Sequence, residues 1–298
     1  MTYTRIATGD ALTVLRRIPG VSLHSCVTSP PYWQVRDYGV DGQIGMEPTH
    51  QEYVERLCLV FDEVWRALRD DGTCWVVLGD TYSKNGGTAK SLALIPSRFA
   101  IAMTDRGWIL RNAVIWHKPN VIPTSVKDRF TIDYEFIFFF TKQRTYYFDR
   151  QVEKSLCPGG KHVPKRPGSK GESVNRTINR TYFARNIVTG EFRNKRCVWT
   201  IPVARCMDPH FAVYPENLIE TPIMAGCPEF GTVIDPFCGV GTTGIVCERL
   251  KRSFLGIELC AKYVEIAKKR IREARDAALS PPRRHSGYAI KQVKGAQS

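Results

Sequence analysis

A glycine-rich turn in the stretch VIDPFCGVGTTG separates a predicted strand, Thr232 to Asp235, from a helix predicted to begin near Thr242. Glycines let the backbone approach a ligand closely, and the N-terminus of a helix offers free N–H groups. About 20 residues further on, the apolar segment FLGIE ends in Glu258, an acid that can accept both ribose hydroxyls of a nucleoside. This spacing predicts a site for a nucleoside-containing cofactor.

A second turn, TSPPYW at Thr28 to Trp33, follows an apolar run at 21–27 that predicts another strand. Its two prolines make the turn rigid, so the acceptors on it are held in fixed positions. Taken as structure alone, the turn is also compatible with a plain proline turn that carries core aromatics. The glycine turn alone is likewise compatible with a dinucleotide site, because Gly239, Gly241 and Gly244 match the GxGxxG pattern.

Together the two turns resemble the motifs of S-adenosylmethionine-dependent amino DNA methyltransferases. DPFCGVG resembles their D-P-F-x-G-x-G motif, which holds the methionine part of the cofactor. TSPPYW resembles their S/D/N-P-P-Y/F/W motif, whose Ser-Pro-Pro-Tyr form is most typical of N4-cytosine enzymes and whose Asp-Pro-Pro-Tyr form marks most N6-adenine enzymes. The resemblance implies cofactor contacts from Asp235, Pro236, Phe237, Gly239, Gly241, Thr242 and Glu258.

The chemistry of such an enzyme explains the residue types in the second turn. The lone pair of an exocyclic amine is delocalised into the base, so hydrogen-bond acceptors are needed to favour a nucleophilic nitrogen. We expect Ser29 Oγ and the Pro30 carbonyl to be those acceptors, in a turn that Pro31 keeps rigid, where they also stabilise the positive charge that develops. Tyr32 is expected to stack on a base rotated out of the duplex, and Trp33 to line the same pocket.

Other segments extend the resemblance over nearly the whole chain. The acid of TGD, Asp10, is similar to the family's contact to the adenine amino group of the cofactor, and HFAVYPENLIETPI supplies Phe211 and Pro215 at the methionine end. The order of motifs, target before cofactor, is that of the circularly permuted β class. It implies a doubly wound, mostly parallel α/β sheet of the class I methyltransferase type, with catalytic parts at 1–150 and 207–275, a target-recognition region at 151–206 and a flexible basic tail at 276–298.

The charge distribution selects the same region independently. The chain carries a net charge of +14, and residues 151–206 hold 12 Lys and Arg against 3 Asp and Glu in a stretch without periodicity. Such a segment indicates a polyanion partner, and we expect double-stranded DNA. The candidate DNA-binding side chains are Arg176, Arg180, Arg185, Arg193, Lys195 and Arg196. Residues 268–298 are also basic, and the tail can bind phosphate or merely be solvated.

Helices and strands alternate around the two motifs. Residues 48–72 predict a helix with a capping box at Thr49 and Glu52 and a stop at Gly72, and residues 90–108 predict a helix that Pro96 kinks or divides. TCWVVLGD, ILRNAVIWHK and YEFIFFFTK predict strands, the last of them central. Arg36, Asp37 and Tyr38 lie in a polar loop that either closes over the base or is a plain surface loop.

Several classes of protein fit poorly. The ten cysteines form no CxxC pair and no zinc spacing, so we expect no metal, and no Pro-Cys pair suggests attack on cytosine C5. No apolar run of membrane length and no signal segment is evident, so a cytoplasmic protein is expected. A restriction endonuclease partner and a monomer or homodimer both fit. N6-adenine methylation is the main alternative, and a non-catalytic DNA-binding protein, a dinucleotide oxidoreductase and an RNA substrate are remoter.

Overall fold

The computed structural model describes residues 2–83, 89–154, 192–203 and 214–279. Its strands are β1 (Thr4–Thr8), β2 (Leu23–Thr28), β3 (Leu68–Leu78), β4 (Ile109–His117), β5 (Tyr134–Thr141), β6 (Val152–Lys154), β7 (Phe192–Asn194), β8 (Val198–Thr200), β9 (Thr232–Asp235) and β10 (Ser253–Glu258). Its helices are α1 (Ala11–Leu15), α2 (His50–Ala67), α3 (Ile95–Asp105), α4 (Glu216–Gly226), α5 (Thr242–Arg249) and α6 (Ala261–Leu279).

Eight strands form one sheet in the order β1-β10-β9-β2-β3-β5-β4-β8. All neighbours pair in parallel except β5, which is antiparallel to both β3 and β4. The mostly parallel α/β sheet confirms the expected fold. The chain order also brings β2 and β9, which are far apart in sequence, into direct contact at Ser25–Val233 and Cys26–Ile234. The two turns that follow these strands are therefore neighbours.

Helices cover both faces of the sheet. Alternate residues of β5 point to opposite sides, so Phe138 and Phe140 pack in the cluster formed with α1, α2 and α3. Ile137 and Phe139 belong to the cluster on the other face, with α4, α5 and α6. Four consecutive buried apolar residues are what a strand inside a covered sheet requires, and the central position predicted for YEFIFFFTK is confirmed.

The ends of two helices differ from the sequence prediction. The capping box of Thr49 and Glu52 is present, but α2 ends at Ala67 and Gly72 lies inside β3. Leu68 already has extended backbone angles, so the chain enters β3 directly after α2, through the exposed residues Arg69, Asp70 and Asp71. Pro96 neither kinks nor divides α3: it occupies its first turn, where the missing N–H costs nothing.

The basic region is only partly described. β6 and β7 pair with each other, while β8 pairs with β4 and so belongs to the main sheet. The prediction that NKRCVWTIP packs back on the catalytic domain is confirmed. Phe211, Arg176, Arg180 and Arg185 lie outside the described residues. At the other end, α6 continues to Leu279, so the predicted tail at 276–298 begins within a helix.

Within the described residues, none of the helices has both the length and the apolar character needed to cross a membrane.

Candidate active site

A cavity of about 470 Å³ opens at the carboxyl-terminal edge of the sheet. Its wall is built from the segments that directly follow the parallel strands: Gly9 and Asp10 after β1, residues 29–32 after β2, residues 236–240 after β9, and residues 258–260 at the end of β10. Ligands of open α/β sheets bind at this edge. The volume lies in the range of roughly 300–1,000 Å³ that is usual for small-molecule sites.

Gly239 and Glu258 form one corner of the cavity. Gly239 has a φ of +51°, and a Cβ added there would meet no atom within 4 Å, so its backbone faces open space. Glu258 accepts hydrogen bonds from the N–H of Gly239 at 2.9 Å and of Cys260 at 2.8 Å. Burial raises the pKa of the Glu258 carboxyl, which these backbone N–H groups oppose. A carboxylate has more acceptor sites than two, so this one can still accept hydroxyl groups from a ligand.

Asp10 faces the same corner from β1. Its side chain caps α1 by accepting from Thr13 N and Thr13 Oγ1, both at 2.8 Å. Gly9 N donates to the Glu258 carbonyl at 2.9 Å, which fixes the end of β1 beside the end of β10. The two acids predicted for the nucleoside end are thus brought together on the cavity wall.

Asp235 does not lie on the wall. It is fully buried, and its carboxylate accepts hydrogen bonds from Thr28 Oγ1 and Thr243 Oγ1 at 2.5 Å, from Phe237 N at 3.1 Å and from Tyr214 OH at 3.1 Å. Burial raises the pKa of this carboxyl, and the hydrogen bonds oppose the rise. Asp235 was expected to contact the ligand directly. Its buried side chain instead joins the end of β2 to the glycine turn through these hydrogen bonds.

Packing rather than ligand contact also accounts for Gly241 and Gly244. A Cβ on Gly241, whose φ is +83°, would lie 2.9 Å from Cβ of Ala267 on α6. A Cβ on Gly244 would lie 2.4 Å from Ile271. Of the glycines in the GxGxxG pattern, Gly239 alone faces the cavity. Pro215 is buried at the start of α4, and its neighbour Tyr214 is the residue that reaches the wall.

The proline turn forms the other side of the cavity. Ser29, Pro30, Pro31 and Tyr32 all line it, and the Pro31 carbonyl is anchored from below by Tyr53 OH at 2.7 Å. The neighbouring strands β4 and β5 complete this side.

Tyr32 is held by groups that the sequence did not single out. Its phenol donates to Oε2 of Glu135 at 2.6 Å, and the other oxygen of Glu135 pairs with Lys118. The ammonium of Lys118 sits 4.3 Å from the ring centre of Trp116. Burial, followed by the charge of Glu135, raises the pKa of Tyr32 well above its usual value, while a hydrogen bond with Ser29 lowers it. Tyr32 is therefore a neutral donor with a fixed ring.

Trp33 does not join this pocket. It is 7% exposed, donates from Nε1 to the Glu47 carbonyl at 2.8 Å and packs against His50 with ring centres 5.9 Å apart. The expectation that Trp33 lines the target pocket was wrong, because the turn directs successive aromatic side chains to opposite sides. Tyr32 enters the cavity and Trp33 enters the core.

The polar loop after the turn forms a further part of the cavity wall. Arg36 and Tyr38 line it, and the Tyr38 ring contacts Tyr263 of α6 edge-on at 6.4 Å. Asp37 bonds within the loop, accepting from Gly39 N at 2.8 Å. The loop thus reaches from the proline turn to the cofactor corner.

The N6/N4 DNA methylase family model matches residues 23–269. The chain belongs to this family. The type II methyltransferase M.Cfr9I of Citrobacter freundii is 38% identical over 288 residues, covering 88% of this chain and 86% of the relative. M.SmaI of Serratia marcescens is 35% identical over 291 residues, with 90% of each chain covered.

Solved structures support the fold of this DNA methylase. The cytosine-N4-specific PvuII DNA methyltransferase matches with a TM-score of 0.65 and 21% identity, over 94% of this chain and 93% of that one. A proposed DNA modification methylase of Thermus thermophilus, in complex with S-adenosyl-L-methionine, matches with a TM-score of 0.58 and 24% identity, over 92% and 96%.

The three described cations predicted to bind DNA are held by protein groups in this methylase. Arg193 and Arg196 donate to Oε1 of Glu153 at 2.9 and 2.7 Å, while Lys195 donates to Thr221 Oγ1 at 2.7 Å. Burial lowers the pKa of Lys195. Arg196, with 62% of its side chain exposed, is the most accessible of the three. These contacts join β6 to β7 and tie the end of β7 to α4.

Among the cavity residues that sequence reasoning missed are Trp116, Lys118, Glu135, Val203 and Tyr214. They line the cavity from β4, β5 and the segments before α4. Trp116, Lys118 and Glu135 lie near the ends of predicted strands and carry no motif, while Tyr214 lies in the segment HFAVYPENLIETPI but was not singled out. Within the described parts of the chain, no cluster of three or more His, Cys, Asp or Glu could hold a metal ion.

Proposed function

We propose that this DNA methyltransferase is site-specific and transfers a methyl group from S-adenosylmethionine to N4 of a cytosine rotated out of duplex DNA. One observation carries the proposal. A single cavity joins the corner of Gly239 and Glu258 to the turn of Ser29 and Pro30, so the position for a nucleoside-type ligand and the hydrogen-bond acceptors for an amine face the same space.

The cofactor corner fits S-adenosylmethionine. Glu258 would accept the ribose hydroxyls, Asp10 would meet the adenine amino group, and the open face of Gly239 leaves room for the methionine portion beside Phe237. The relative from Thermus thermophilus, which carries this ligand, has the same fold. When bound, the cofactor supplies an electrophilic methyl group.

The proline turn supplies what the acceptor amine needs. Ser29 Oγ and the Pro30 carbonyl would accept hydrogen bonds from the two N–H groups of the amine. These bonds would localise the lone pair on nitrogen and place the negative ends of dipoles where positive charge develops. The Tyr32 ring, locked by Glu135, would fix the plane of the base. Transfer would be direct, with no covalent enzyme intermediate.

Cytosine N4 is favoured over adenine N6 by Ser29 and by the cytosine-N4 specificity of the PvuII enzyme. The type II names of the relatives favour a role in restriction–modification, alongside a cognate endonuclease or as a solitary enzyme. An N6-adenine enzyme with the same site is the second candidate, because the two amines present the same N–H groups.

The test is transfer of a tritiated methyl group to unmodified duplex DNA and to RNA, followed by digestion to nucleosides and chromatography. We expect label in N4-methylcytosine from DNA, incorporated about 10²- to 10³-fold more slowly by the Ser29→Ala variant. Label in N6-methyladenine would replace the base assignment with the second candidate. Tight DNA binding without any methyl transfer would refute the proposal that the protein is a methyltransferase.

A further inference from the structure

The loop at residues 119–133 rises directly from the wall of the cavity. The residues at its two ends, Lys118 and Glu135, line the cavity, and Lys118 N donates to the Asp133 carbonyl at 2.7 Å to close its base. Asn120 makes two hydrogen bonds with the backbone of Val203, at 2.8 and 3.2 Å. The stem of the loop is therefore fixed beside the proposed position of the target base.

Two large apolar side chains on this loop stand in solvent. Phe130 is 96% exposed and Ile122 is 91% exposed, whereas the next most exposed large apolar residue among those described, Val198, is 63% exposed. Single exposed apolar residues are common, but two that are almost wholly exposed on one anchored loop are a costly arrangement unless a partner covers them.

The charge around these side chains is positive. Asp128, which pairs with Lys90 at 2.7 Å, is the one acid among the four charged groups Lys90, Lys127, Asp128 and Arg129, so the loop tip keeps a net positive charge. Lys127 and Arg129 are both exposed, and the Arg129 guanidinium lies 3.5 Å from the ring centre of Tyr82. Apolar side chains flanked by cations match a nucleic acid, whose stacked bases lie between phosphates.

We propose that loop 119–133 contacts the DNA at the target site, with Phe130 and Ile122 packing into the space that the extruded base leaves and Lys127 and Arg129 contacting the neighbouring phosphates. The proposal rests on the proposed function, since a base must leave the duplex to enter the cavity. Extrusion leaves unstacked apolar base surface, and an apolar side chain that covers this surface offsets part of the unstacking cost.

The test uses the full-length protein and a duplex that carries the recognition sequence, taken from a map of modified bases. Phe130→Ala and Ile122→Ala are compared with Phe230→Ala and Ile101→Ala. Phe230 and Ile101 are 62% and 61% exposed, before β9 and on α3, and so outside the proposed contact. We expect Phe130→Ala to lower kcat/KM on the duplex by about 10- to 100-fold, with S-adenosylmethionine affinity unchanged.

A second duplex, with an abasic site opposite the target base, separates insertion from mere binding. Because that base is already unpaired, the Phe130→Ala variant should regain most of its activity there, and Phe130→Leu should be near wild type on both duplexes. The fluorescence increase of pyrrolocytosine, a fluorescent cytosine analogue placed at the target position of the paired duplex, should be smaller with Phe130→Ala than with the wild-type protein.

Three results would overturn the proposal while leaving the methyltransferase assignment intact: full duplex activity in Phe130→Ala, an equal loss in Phe230→Ala, or an equal loss on both duplexes. Absence of methyl transfer by the wild-type protein would instead refute the proposed function.

Discussion

The phenol of Tyr32 and the carboxylate of Glu135 are joined by a 2.6 Å hydrogen bond across 103 residues of sequence. The bond ties the turn after β2 to the beginning of β5, with β3 in between. A Cβ on Gly79, just after β3, would lie 2.7 Å from the Tyr32 ring and 3.2 Å from Glu135. Only a glycine there leaves room for this bond, so three strand ends cooperate to position one aromatic ring.

Loss of the bond should slow methylation without affecting the cofactor. Tyr32→Phe and Glu135→Gln are each expected to lower kcat on duplex DNA by about five- to tenfold, which corresponds to roughly 1 kcal/mol for one hydrogen bond. Glu135→Gln weakens the bond that Tyr32→Phe removes, and it also weakens the pair with Lys118, so the loss in the double variant should be smaller than the sum of the two single losses. Additive losses in this cycle, or weaker S-adenosylmethionine binding measured by calorimetry, would contradict a positioning role.

Ser29 and Glu258 line opposite sides of the cavity, so substitutions of the two residues should affect different quantities, the rate of transfer and the affinity for the cofactor. Ser29→Ala is expected to lower kcat by about 10²- to 10³-fold with little change in cofactor Kd, because its hydroxyl acts on the developing charge. Glu258→Gln should weaken cofactor binding by about 10- to 100-fold and leave the single-turnover rate at saturation much less affected. Rapid-quench turnover and calorimetry measure the two quantities. Equal loss of cofactor affinity in both variants would refute the assignment.

Cofactor affinity should depend on pH through Glu258. Its pKa is raised above the usual 4.5 by burial, so the carboxylate begins to take up a proton at a higher pH than an exposed glutamate. The protonated form is the poorer acceptor, and we expect Kd to increase as the pH falls from neutral through this raised pKa. Glu258→Gln keeps the titration of Asp235 and of the ligand itself, so the difference between the two pH profiles isolates Glu258. Parallel profiles would show that Glu258 does not govern the effect.

The sequence predicted most of the sheet and the two turns, because strands of apolar residues and turns of Gly and Pro are local signals. It failed where a side chain's direction is set by distant packing. Trp33 and Tyr32 are adjacent and equally aromatic, yet only contacts with Glu47 and Glu135 decide which of them faces the cavity. Lys118 and Glu135 carry no motif, and they become site residues only because β4 ends and the antiparallel β5 begins at the sheet edge where β3 ends. Asp235 matches the family motif, but its carboxylate is buried and is hydrogen-bonded to Thr28 and Thr243.

Gly244 and Gly239 offer a last contrast, because one should control stability and the other ligand access. Gly244→Ala places a methyl group 2.4 Å from Ile271 and 2.8 Å from Phe254, in a helix where φ is ordinary. We expect this overpacking to lower the free energy of unfolding by about 1–3 kcal/mol. Gly239→Ala meets no atom, so it should cost only the strain of its positive φ, about 1–2 kcal/mol, while the new methyl group faces the cavity and weakens cofactor binding.

Denaturant unfolding with and without S-adenosylmethionine distinguishes the two variants: added cofactor should stabilise the Gly244 variant by nearly the wild-type increment and the Gly239 variant by much less. Equal cofactor increments in the two variants would show that Gly239 does not face the ligand.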